Sequence, residues 1–125
     1  MIEVSGSLKE KYTVNNTARS HEWLADEPLD VGGMDLGPKP SELLLSALIS
    51  CKIITIMMYA GRKGWEVQDV NISLKMGEKS EITLIEKSIS FTGNLDEAQT
   101  QRLIDVSARC PVAKMLGNSI EFKLV

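Results

Sequence analysis

The strongest hydrophobic signal in the chain runs from Leu43 to Ala60, where Leu43, Leu44, Leu45, Leu48, Ile49, Ile53, Ile54 and Ile56 occupy almost every side of a helical wheel. Both ends of a helix are marked. Pro40 suits the first helical position, where a missing N–H leaves nothing unpaired, and Glu42 in the first turn favours the helix dipole. Arg62, Lys63 and Gly64 give a cationic last turn and a glycine stop. The stretch approaches the length of a membrane span but contains Ser46, Ser50, Cys51, Lys52 and Thr55. A central lysine costs roughly 2.5–3.5 kcal/mol on insertion, no second span follows, and strand-like segments flank it. A buried core helix is the better reading. Being apolar on every side, it must be enclosed on every side, which an intertwined dimer achieves more readily than a small monomer.

The remaining pattern alternates between strands and one further helix. Residues 2–14 and 17–25 carry β-type residues around Asn15-Asn16, which reads as a hairpin turn. A turn-rich loop follows from Asp26 to Pro38. Strands are predicted at about Val67 to Met76 and Ile82 to Thr92, joined by the charged turn Gly77-Glu78-Lys79; alternation in Val70-Asn71-Ile72-Ser73-Leu74 and Ile89-Ser90-Phe91-Thr92 gives each one core-facing side. A second helix begins near Asp96, whose Asp-Glu-Ala-Gln run resembles a capping box. Leu103, Val106 and Cys110 follow on it at i, i+3 and i+7, which puts Cys110 on the apolar stripe. Pro111 is expected to break or bend that helix, a short turn over Val112 to Leu116 ends at Gly117, and Ile120 to Val125 reads as a last strand. The order is ββ-α-ββ-α-β, an α+β fold in one domain over residues 1–125.

Composition narrows the function. At 125 residues the chain is long enough to bury a core without staples. A net charge of -3 with no basic run argues against nucleic acid and against an anionic membrane surface. The opening Met1-Ile2-Glu3-Val4-Ser5-Gly6 has neither the cationic nor the apolar region of a signal peptide, so a cytoplasmic location is expected. In that compartment two cysteines point to catalysis, redox sensing or metal binding before a structural disulfide. One histidine, His21, and two cysteines are too few for a closed zinc site in one chain.

Cys51 stands midway along the apolar helix, and Cys110 lies in Arg109-Cys110-Pro111-Val112. Each has a bland reading, since a free cysteine often serves as a small hydrophobe where buried elements cross. Two that meet across a core form a dithiol capable of redox work. A thiol in purely apolar surroundings is inert, so activity requires a cation near Cys51. Lys52 is adjacent but projects about 100° away on a helix. Arg19, in a polar β segment, is the better candidate, and His21 shares its face if the strand is regular. The bland reading of Arg19 and His21 is solvent exposure. Glu42, Arg62 and Lys63 read as helix-end charges, and Met57 and Met58 as core fillers.

Gly37-Pro38-x-Pro40-x-Glu42-Leu43-Leu44-Leu45, then Cys51, then Tyr59-Ala60-x-Arg62-Lys63-Gly64 resembles the osmotically induced protein C and organic hydroperoxide resistance (OsmC/Ohr) family. Leu95-Asp96-Glu97 followed by Cys110-Pro111-Val112 is similar to that family's second cysteine motif. The resemblance covers about Asp26 to the C-terminus. It implies an intertwined homodimer built around the long helices, and thiol-dependent reduction of organic hydroperoxides in response to oxidative stress. By position, Cys51 would be the peroxidatic cysteine and Cys110 the resolving one. No bound cofactor is implied, only an external dithiol reductant such as a lipoylated protein. Characterised peroxidases of the family pair an arginine from the N-terminal sheet with a glutamate ten positions before the first cysteine. That position here is Ser41, and Glu42, nine before Cys51, lies on the opposite side of the helix. The motif style is therefore closer to a less-characterised branch. The competing readings are a non-enzymatic dimer of this fold that binds a small apolar ligand or senses redox state, and a metal-binding dimer using Cys51, Cys110 and His21.

Overall fold

A computed structural model describes residues 1–77 and 82–125, so Glu78 and Lys79 of the expected charged turn lie outside the described residues. They form two compact units, 1–46 and 47–125. The first holds a three-stranded antiparallel meander of β1 (Ser5–Glu10), β2 (Thr13–Ala18) and β3 (His21–Ala25). The expected turn at Asn15-Asn16 is not there. Both asparagines are central in β2, Asn15 opposite Ser7 and Leu24, Asn16 opposite Gly6 and Trp23. The chain turns instead after β1 and after β2, with Lys11 (φ 52°) and Arg19 (φ 55°) in the left-handed region. Residues other than glycine adopt that conformation uncommonly, and residue type gave little warning of it.

Beyond β3 the chain folds around one carboxylate. Asp26 is 2% exposed. Its oxygens accept from the Thr13 hydroxyl at 2.6 Å and from the backbone N–H groups of Glu27, Met34 and Leu36 at 2.8, 3.4 and 3.3 Å. The loop runs through a single 3₁₀ turn, Leu29–Val31. It closes so tightly that a Cβ on Gly33 would sit 1.8 Å from the Glu27 carbonyl oxygen, and one on Gly37 would sit 2.4 Å from that of Leu24. Glycine is required at both places because backbone occupies the space a side chain needs.

Helix α1 spans Pro40–Lys63, as its end signals predict. Glu42 does more than favour the dipole: its carboxylate accepts from the Lys39 backbone N–H at 2.8 Å, closing one orphan donor at the helix start. The buried positions of α1 are Leu48, Lys52, Ile56 and Ala60, one stripe at i, i+4 spacing. Elsewhere on it Leu44, Ile54, Met57 and Met58 are exposed in the single chain, so one chain does not enclose this helix.

In the second unit β4 (Glu66–Met76) and β5 (Ile85–Asn94) form an antiparallel hairpin. Val70 pairs with Phe91 and Ile72 with Ile89, so the alternation read from sequence puts apolar side chains opposite one another. Ile56, Ala60, Val70 and Leu103 are the buried centre, with Tyr59, Trp65, Ile72 and Phe91 among the residues packed around it. Helix α2 (Glu97–Ser107) starts with the expected capping box: the Asp96 carboxylate accepts from Gln99 N–H at 2.7 Å, and the Gln99 side chain accepts from Asp96 N–H at 3.0 Å.

Two expectations fail after α2. Cys110 does not lie on it: the helix ends at Ser107, and Cys110 is the extended residue (φ -64°, ψ 150°) that begins α3 (Pro111–Leu116). Proline disfavours a helical conformation in the residue before it and suits the first position of a new helix, so Pro111 starts a helix here instead of bending one. Ile120 to Val125 forms no strand in the single chain, and Ile120, Phe122, Leu124 and Val125 are exposed. A strand needs a ladder partner, which alternation alone does not supply.

Candidate functional site

Helix α1 and the α2–α3 turn bring the two cysteine segments together. Cys51 neighbours the buried stripe and is half-buried, whereas Cys110 is fully buried; both are free thiols. The Cys51 sulfur accepts from the Val112 backbone N–H at 3.5 Å. Val112 is two residues beyond Cys110, at most ~7 Å of extended chain. Pro111 and Val112 are the first two residues of α3, whose leading N–H groups have no partner within the helix. The Val112 N–H is therefore free to meet the sulfur.

The turn carrying Cys110 is anchored from α1. The Lys52 ammonium donates to the Ser107 carbonyl oxygen at 3.2 Å, and the Cys110 N–H donates to the same oxygen at 3.4 Å. Ser107 is fully buried, and its hydroxyl donates to the Ile104 carbonyl at 2.7 Å. The Cys110 carbonyl takes the first hydrogen bond of α3, from Lys114 N–H at 3.0 Å. Lys52 is the residue sequence reasoning passed over. A helical wheel turns it about 100° away from Cys51, yet its i, i+4 register with Leu48 and Ile56 signals a place in the core.

Arg19 is not in a strand. It sits, exposed, in the turn between β2 and β3, and His21 opens β3, also exposed. With Arg19 in the turn, the shared strand face expected for the two does not exist. Both belong to the first unit, whereas the N–H that meets the Cys51 sulfur comes from the second.

The family model for OsmC-like protein matches residues 32–125. The chain belongs to the OsmC-like family. Solved structures similar to it include an OsmC-like protein from Mycoplasma pneumoniae (TM-score 0.81, 19% identity, 94% of this chain and 88% of that one). A second is an OsmC-like protein of unknown function from Vibrio cholerae (TM-score 0.71, 15% identity, 92% of each chain). A third is the organic hydroperoxide resistance protein OhrB of Bacillus subtilis (TM-score 0.63, 14% identity, 92% and 89%). At these identities the likeness shows the fold, an α+β arrangement with antiparallel sheets. No curated protein sequence matches the chain.

Proposed function

We propose that this OsmC-like chain is a thiol-dependent reductase of organic hydroperoxides, working as a homodimer in the cytoplasm during oxidative stress. The observation that carries the reading is the Val112 N–H on the Cys51 sulfur, which places the accessible thiol beside the segment holding the second one. In the first step the Cys51 thiolate attacks the distal peroxide oxygen. The O–O bond breaks, the alkoxide leaves and takes a proton to become the alcohol, and Cys51 is left as a sulfenic acid. The Cys110 sulfur, giving up its proton, then attacks that sulfur, the S–O bond breaks, the hydroxide that leaves takes the proton to become water, and a disulfide joins the two cysteines. An external dithiol, a lipoylated protein or another, returns two electrons by exchange. Arg19 remains the candidate for the cation that activates the thiolate. The apolar residues exposed along α1 and over 120–125 support the dimer, since a second copy that covers them would remove that apolar surface from water.

Single-turnover kinetics with an organic hydroperoxide test the two roles. Cys51→Ser should abolish consumption. Cys110→Ser should keep the first oxidation and stall at sulfenic acid, seen by mass spectrometry and by coupling to an added thiol. Arg19→Gln should slow the first step alone. Equal, partial losses in both cysteine variants would rule out an attacking and a resolving thiol.

A further inference from the structure

Lys52 is unusual for a reason unrelated to peroxide chemistry. Its side chain is 7% exposed, yet the ammonium carries three donors and the structure gives it one acceptor, the Ser107 carbonyl. Among the described residues no carboxylate pairs with it. A buried ammonium without a counter-charge is costly, and a methionine or leucine would fill the same stripe without that cost.

The lysine borders a cavity of about 270 Å³ within the second unit. Its walls are Leu48 of α1, Leu74 of β4, Ile85 of β5, and Ala113 and Leu116 of α3, and a second lysine, Lys87 of β5, also lines it. Lys87 is exposed and Lys52 is buried, so one cation stands toward solvent and the other is enclosed. None of the described residues that line it is acidic. Small-ligand sites are mostly apolar with a few placed polar groups, and the charged groups among the described lining residues are both cations.

We propose that this cavity binds a short-chain aliphatic monocarboxylate, its carboxylate held by Lys52 and Lys87 and its tail lying against Leu48, Leu74 and Leu116. A monoanion with two oxygens suits the two unused N–H groups of one enclosed ammonium. A dianionic phosphate would bring more charge and more bound water than apolar walls accept. The volume corresponds to roughly nine groups the size of a water molecule, which hexanoate fills. Such a site does not require Cys51 to be reactive, so it stands or falls apart from the thiol reading.

The test is titration of the full chain with hexanoate, followed by NMR of the Leu48, Leu74, Ala113 and Leu116 methyl groups. Parallel titrations use 1-hexanol, acetate and inorganic phosphate. Hexanoate should shift these methyls saturably and bind about tenfold or more tightly than each of the other three, because charge-assisted hydrogen bonds and the apolar walls are both needed. Lys52→Met should abolish the preference for hexanoate over hexanol, and Lys87→Gln should weaken hexanoate roughly threefold or more. Lys87 is exposed, so its variant decides the matter if Lys52→Met does not fold. Equal binding of hexanol would reduce the site to an apolar cavity, and equal binding of phosphate would reduce it to a basic patch. Either result, or an unchanged Lys87→Gln, overturns the proposal.

Discussion

The two units of this chain are held together by different physics. In residues 1–46 the buried positions are Thr13, Ala25, Asp26 and Gly33, and no large apolar side chain is among them. Order there comes from a carboxylate with four donors and from glycines that let backbone approach backbone. The unit from 47 to 125 is centred on Ile56, Ala60, Val70 and Leu103 and is held by ordinary apolar burial. Among the described residues each unit also encloses one charge. Asp26 is surrounded by donors and behaves as a structural pin, whereas Lys52 has a single carbonyl and keeps donors to spare. A buried charge whose partners are all internal organises the chain; one with capacity left over is available to something else.

The chain's two tryptophans make the contrast measurable, since Trp23 lies in β3 of the first unit and Trp65 packs on the core of the second. Trp23→Phe and Trp65→Phe backgrounds isolate each signal. The largest effect is expected from Leu103→Ala. Leu103 is fully buried at the centre of the second core, and truncating such a leucine costs about 2–5 kcal/mol through lost burial and the cavity left behind. Denaturant unfolding read at Trp65 should show that loss. A change below about 1 kcal/mol, well under the smallest loss expected for such a truncation, would mean the core is not where this unit gets its stability.

Asp26→Asn should have a smaller effect and a different signature. The Thr13 hydroxyl, opposed by burial and helped by the N–H groups of Glu27, Leu36 and Met34, holds the Asp26 carboxyl below its ordinary value of 3.8. A carboxyl whose pKa is lower folded than unfolded contributes stability that is present above the unfolded value and lost as pH falls through the folded one. The Trp23 transition should therefore weaken as the pH drops below about 4. Asp26→Asn should lower the melting temperature at neutral pH and flatten that acid dependence. The same acid slope at Trp23 in wild type and variant would show that some other carboxylate is responsible.

How much of this was legible beforehand follows from the same contrast. In the second unit, elements declare themselves by apolar period and by caps, so α1, both strands of the hairpin and the Asp96–Gln99 box were readable within a few residues. The first unit depends on polar satisfaction and left-handed turns at Lys11 and Arg19, which carry no periodic signal, and two strands were read where three exist. For the candidate site the sequence offered residue types, Cys51 and Cys110, which stand out by their setting and by resemblance. The contacts were not legible. The Val112 N–H on Cys51 and the Lys52 tie to Ser107 both depend on a backbone turn that Pro111 was expected to bend and instead divides into two helices.

The smallest expected effect is electrostatic and sits at the end of α1, in the unit governed by apolar packing. The Arg102 guanidinium donates to the Tyr59 hydroxyl at 3.0 Å, and the Arg102 and Lys63 cations lie 5.5 and 5.7 Å from the ring centroid. The Arg102 hydrogen bond, opposed by some desolvation and aided by the charges of Arg102, Lys63 and Arg109, holds the phenol below its ordinary value of 10.0. Tyr59 also meets Trp65 edge-on, with ring centroids 5.7 Å apart, so the ionised phenolate stands beside the tryptophan that reports on this unit. Removing the arginine with Arg102→Gln should raise the Tyr59 titration seen by ultraviolet difference absorbance. The alkaline change in Trp65 emission should move up with it. Because Arg102 is exposed, thermal stability at neutral pH should hardly change. A Tyr59 titration that stays in place while the protein loses stability would show that Arg102 acts by packing, and the second unit would then rest even more completely on its apolar contacts.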